Sequence, residues 1–110
     1  MLSRASIIAA KDLPTNELVS IPEWGGDAYI AALGGIQRLA VYKHLRDLGQ
    51  DSYFPAICLC HTLVDDTGKR LFDDGDYLAI AHKSAEVIER LFKVTNRLNR
   101  FLTDDAEKKG

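Results

Sequence analysis

The sequence predicts a mainly α, α+β fold: a small helical domain with one N-terminal two-stranded β-hairpin. Three observations predict it. Ser84 to Leu102 puts apolar side chains over one half of a helical surface and charges over the other. Ala56 to Val64 is almost wholly apolar, which suits a central buried helix. Two short β-favouring runs, "ELVSI" and "DAYIA", flank the five residues "PEWGG", a Gly-containing loop of hairpin length. The 110 residues fit one domain, 1–110, whose polar end 103–110 is expected to be a disordered tail.

Taken in order, Ser3 to Ala10 has a serine N-cap followed by good helix formers, and Pro14 and Asn16 mark the turn after it. The hairpin follows over Leu18–Ala31. Gly25 and Gly26 supply the turn, and Pro22 must stand at a strand end because it has no N–H for a ladder. A two-stranded hairpin is marginal alone, so Trp24 and the strand side chains must cover helices or another subunit. In "GGIQRLAVYKHLRDLGQ" Ile36, Leu39, Leu45 and Leu48 recur at helical spacing, with a C-cap at Gly49. Val41 and Tyr42 fall off that face, so the apolar surface is broad, and such a helix is either buried on several sides or partly used in association. A cap at Ser52 and Pro55 in the first turn open the next helix; periodicity alone leaves a buried strand open for its apolar run. "DDTGKRLFDDGD" predicts a turn and a helix entry, with a short helix at about Gly75 to Ala81.

Composition narrows the function. The net charge of −2, with 46% apolar and 27% charged residues, is that of an ordinary soluble domain. It argues against a chain whose task is to neutralise nucleic-acid phosphates. The longest apolar run, "FPAICLC", falls far short of the ~20 residues that span a bilayer, and the opening segment is too short for a secretory signal. Cys58 and Cys60, one residue apart, are poorly spaced for a disulfide and suit reduced thiols in a cytosolic protein.

No catalytic, cofactor-binding or metal residues emerge. Cys58, Cys60 and His61 are soft ligands, but a structural zinc site needs four, and neither His44 nor His82 forms a motif with them. On a helix the two cysteines point to nearly opposite sides. Both calcium-loop registers across Asp65 to Asp76 start on a non-ligand, Leu63 or Arg70. No nucleophile elbow, P-loop or dinucleotide fingerprint is present. Arg90, Lys93, Arg97 and Arg100 form a basic stripe, the basis for a second reading as a small helical nucleic-acid-binding regulator.

The ordered set of segments resembles one family. Val19, Ile21, Pro22, Glu23, Trp24, Gly25 and Gly26 match a V-x-V-P-E-W-G-G pattern. Asp65, Gly68, Leu71 and Phe72 match D-x-x-G-x-x-L-F, and Leu91, Phe92, Leu98 and Asn99 fall in a final L-x-x-L-N helix. Together, over residues 3 to 100, they resemble the tail assembly chaperones of long-tailed (siphovirus-type) bacteriophages and prophages. "LGGIQR" departs from the pattern, which has a Leu-Ser-Gly-type cap and an acidic residue before the arginine. The resemblance implies a non-enzymatic protein, without cofactors, acting in the host bacterial cytoplasm and absent from the mature virion. It implies binding to the tape measure protein, recruitment of tail tube subunits and self-association as a homo-oligomer, with no nucleic acid or membrane partner. The expected contact residues are Trp24 and Tyr29 on the hairpin, Val41, Tyr42 and Leu45 on the broad helix, and Phe101 and Leu102. The last two are expected to prolong the final helix's apolar face, and repeated head-to-tail contacts are the expected mode of association.

Overall fold

The computed structural model describes residues 1–49 and 53–102. Its elements run α1 (Arg4–Ala9), β1 (Glu17–Ile21), a 3₁₀ turn (Pro22–Trp24), β2 (Gly26–Ile30), α2 (Gly35–Leu48), α3 (Phe54–Thr62), β3 (Leu63–Val64), a second 3₁₀ turn (Asp74–Asp76), α4 (Tyr77–Ala81) and α5 (Ala85–Asn99). The cap expected at Ser52 and the tail 103–110 lie outside the described residues. Among the described residues, no helix is long and apolar enough to cross a membrane.

The hairpin forms where the sequence places it. β1 and β2 pair antiparallel from Glu17↔Ile30 to Ile21↔Gly26. Pro22 opens the connecting turn, and Gly25 closes it at φ 86, a left-handed conformation that favours glycine. The sheet then gains a third strand, because β3 pairs antiparallel with β2 through Tyr29↔Val64 and Ile30↔Leu63. The apolar run Ala56–Val64 is thus helix as far as Thr62 and strand beyond it. The inner edge of β2 explains the change: an unpaired edge is left with orphan backbone groups, and Leu63 and Val64 satisfy them. Asp65 then folds the chain back. Its Oδ1 accepts from the Thr67 and Lys69 N–H groups at 2.8 and 3.0 Å, and Gly68 takes φ 86. Leu71 N–H returns to the Leu63 carbonyl at 3.1 Å.

α3 is the axle of the molecule, with every residue from Ala56 to Thr62 buried. On one side Leu59 and Cys60 meet Ile21, Ile30 and Leu63 of the sheet, Ile80 of α4, and Val87 and Leu91 of α5. On the other, Ile57 and Cys58 meet Val41 of α2. The two cysteines therefore do face opposite sides, each as a small apolar residue.

Two expectations are corrected. Ile36, Leu39, Leu45 and Leu48 do not share one face apart from Val41: Val41 is fully buried with half-buried Leu45 and Leu48 beside it, and Ile36 and Leu39 are exposed at 86% and 66%. At about 100° per residue, Ile36 and Leu39 lie across the helix from Val41, so one helix carries two apolar faces. α5 also ends early. It starts on the Ser84 cap as its sequence implies, but Arg100 turns left-handed at φ 54, and Phe101 and Leu102 leave the helix. The irregular start of α2 is compensated: Gln37 Oε1 reaches back to accept from the Gly34 N–H at 2.8 Å, the bond an N3 side chain makes in a capping box. α1 has a Ser3–Ser6 reciprocal cap and no buried residue.

Candidate functional site

Chemistry at the surface begins with the hairpin turn. Arg90 grips Glu23 through two parallel hydrogen bonds of 2.8 Å, and Arg97 donates to Glu17 at 2.5 Å. The hydrogen bond from Arg90 holds the Glu23 carboxyl down at about 2. "PEW" thus has three tasks: Pro22 starts the turn, Glu23 clamps it to α5, and half-buried Trp24 packs on the core beneath. The basic stripe consequently has two of its four charges, Arg90 and Arg97, committed to the protein's own hairpin, which weakens the nucleic-acid reading. β1 is an edge strand whose outer side pairs with no other described residue.

The residues expected to contact partners divide into three groups. Val41 is a correction: at zero exposure between α2 and α3 it belongs to the core and offers no contact surface. Trp24, Tyr29, Leu45, Phe101 and Leu102 are half-buried. Phe101 folds against Phe54 with ring centroids 6.3 Å apart, and the Arg38 guanidinium lies 5.3 Å above its ring. Arg38 also donates to the Tyr42 hydroxyl and the Arg100 carbonyl, at 2.8 and 2.6 Å, and so ties the end of α5 to α2. Tyr42 remains exposed beside Ile36 and Leu39. Among the described residues, the exposed large apolar side chains include Ile36, Leu39 and Tyr42 on α2 and Leu2, Ile7 and Ile8 around α1, with Met1, Leu13, Leu18, Leu71 and Leu78 elsewhere. Leu39 was not among the expected contact residues, although it stands three residues from both Ile36 and Tyr42 along the helix.

A polar cluster lies where α2, α3 and the turn before α4 meet. His44 Nδ1 and His61 Nε2 face each other at 3.0 Å, and Asp74 Oδ1 stands 3.7 Å from His61 Nε2. Arg70 holds Asp74 at 2.9 Å and donates to the Cys60 carbonyl. Burial, reinforced by Arg70, pushes the His61 imidazole down to about 4, and burial pushes the Cys60 thiol up to about 11. Cys58 is pushed up by burial as well. Thiols this reluctant to ionise are poor nucleophiles at neutral pH.

These elements define a small α+β domain in which a clamped hairpin and a short third strand lie on one central buried helix. The fold is similar to that in the structure of the bacteriophage HK97 tail assembly chaperone. The match covers 76% of this chain and 84% of that one, with a TM-score of 0.58 and 17% identity. No family model and no curated protein matches the chain. At this identity the likeness is one of fold, and it is the fold to which the PEWGG, D-x-x-G and L-N segments point.

Proposed function

We propose that the protein is a phage tail assembly chaperone. In this reading it binds the tape measure protein, helps recruit tail tube subunits, works in the host bacterial cytoplasm and is absent from the mature virion. The reading makes it a self-associating binding protein rather than an enzyme. The observation that carries it is the fold shared with the HK97 chaperone over three-quarters of the chain. The α2 surface of Ile36, Leu39 and Tyr42 supports it, because clustered exposed apolar side chains mark interaction sites and a protein that covers a long helical partner needs such area.

Co-expression with the tape measure protein of the same phage tests the proposal. The expected outcome is a soluble complex that co-purifies, and that is lost when Ile36 and Leu39 are both replaced by serine. A tape measure protein that precipitates equally with and without this chain would overturn the reading.

A further inference from the structure

We propose that His44, His61 and Asp74 form a binding site for a divalent first-row transition ion of the Zn²⁺ type. One potential ligand atom from each lies within 4.8 Å of the other two. Zinc binds imidazole nitrogen and carboxylate oxygen tetrahedrally at about 2.0–2.2 Å, so neighbouring ligand atoms stand roughly 3.3–3.6 Å apart. The His44–His61 separation of 3.0 Å and the His61–Asp74 separation of 3.7 Å bracket that range closely. To take an ion the two imidazoles part by about 0.3 Å, and the Asp74 side chain, 61% exposed, rotates inward.

The elements that carry the ligands are fixed before any ion arrives. His61 is set by the buried helix α3. His44 lies edge-to-face against Tyr77 at 5.4 Å, and Tyr77 in turn against Tyr53. Asp74 belongs to a turn fixed by the Asp73 N–H to Asp76 bond, 2.8 Å, and by the Cys60 thiol donating to the Asp73 carbonyl, 2.9 Å. Arg70 bridges the Asp74 carboxylate and the Cys60 carbonyl, the kind of outer contact that orients a ligating carboxylate. A cleft of about 120 Å³ with His61 and Arg70 in its wall opens alongside.

Without an ion, the two facing nitrogens share one proton in a single hydrogen bond. An ion binds once the ring that carries that proton holds it on its other nitrogen instead; both imidazoles stay neutral and each gives a lone pair, Asp74 gives a carboxylate oxygen, and a further position is left for water. The nitrogen and oxygen ligands favour zinc, cobalt or nickel over calcium or magnesium. The Arg70 charge opposes a dication, so the site binds the folded chain reversibly and folding does not require it. Occupancy links α2 to α3 and to the turn before α4. This inference stands apart from the proposed function.

The test uses metal-stripped full-length protein titrated with Zn²⁺ against a chromophoric chelator, and with Co²⁺ followed by visible absorption. One equivalent is expected to bind with a Kd of about 10 μM or tighter. His44→Gln and Asp74→Asn, made where side chains are partly or largely exposed, are each expected to weaken binding at least roughly tenfold. His82→Gln, outside the cluster, should leave binding unchanged, and circular dichroism without metal checks that each variant folds. The cobalt spectrum is expected to show d–d bands without a thiolate charge-transfer band. Absence of binding, binding indifferent to both cluster substitutions, or a thiolate band that assigns the ion to Cys60 would each overturn the proposal.

Discussion

Asn99 shows how much one buried polar side chain can organise. Its Oδ1 accepts from the Leu33 N–H at 2.7 Å, and its Nδ2 donates to the Ala31 and Thr95 carbonyls, both at 3.0 Å. One amide thus anchors the segment leaving the hairpin to the end of α5. Asn99→Ala leaves the Leu33 N–H without its partner, and denaturant titration should show a loss of about 2–3 kcal/mol. A loss near zero would mean that solvent replaces these bonds. Sequence reasoning marked Asn99 only as part of a pattern, since its backbone partners lie 66 and 68 residues away. Arg100 works in the opposite direction. At φ 54 it stands where glycine is preferred, and its contacts to Asn96 and Arg38 use backbone atoms. Arg100→Gly should therefore raise stability by about 1 kcal/mol, read as a higher urea midpoint. A lowered midpoint would show that the arginine side chain contributes to the fold.

Legibility at the scale of elements followed the amount of local signal. The Ser3 cap, the PEWGG turn and the Asp65–Gly68 turn are written in adjacent residues, and each formed as its sequence implies. The end of α3 was ambiguous because apolar content suits a buried helix and a buried strand equally, and the choice was made by the β2 edge. Val41 was set apart from Leu45 and Leu48, although at about 100° per residue the three share a side; that this side is the buried one depends on where α3 lies. The hairpin clamp was illegible for the same reason: Glu23 and Arg90 are 67 residues apart. The clamp has a pH signature. The folded-state pKa of Glu23 is depressed, so its contribution is present above the unfolded value near 4.5 and is lost as pH falls toward about 2. Glu23→Gln should flatten the stability profile across that interval and leave its shape above pH 5 unchanged, as followed by thermal melts. Trp24 provides a second check on the element. Packed on the core, it should emit at shorter wavelength than exposed indole, with no dependence on protein concentration. A concentration-dependent shift would place a neighbouring copy, in addition to this chain's own core, over the ring.

The whole molecule carries more apolar surface than its own core uses. Ile36 and Leu39 on α2 and the group around α1 have no cover among the described residues, and α1 buries nothing. Both features bear on the proposed self-association, because two separate patches on one chain allow head-to-tail contacts that can repeat along an elongated partner. Each side chain of this size contributes roughly 1.5–3 kcal/mol when moved from water into an interface. Replacing Ile36 and Leu39 together by serine should then raise the dissociation constant for association through α2 by about 100-fold or more. The monomer should be little affected, since both side chains are already in water and leave no cavity when shortened. Size-exclusion chromatography with light scattering over a wide concentration range separates these effects, with thermal unfolding as the control. The native chain should gain mass as concentration rises, and the double variant should stay monomeric over the same range with an unchanged unfolding midpoint. A native chain that remains strictly monomeric at high concentration would rule out association through this face. The apolar residues of α2 would then have to serve a partner other than the chain itself.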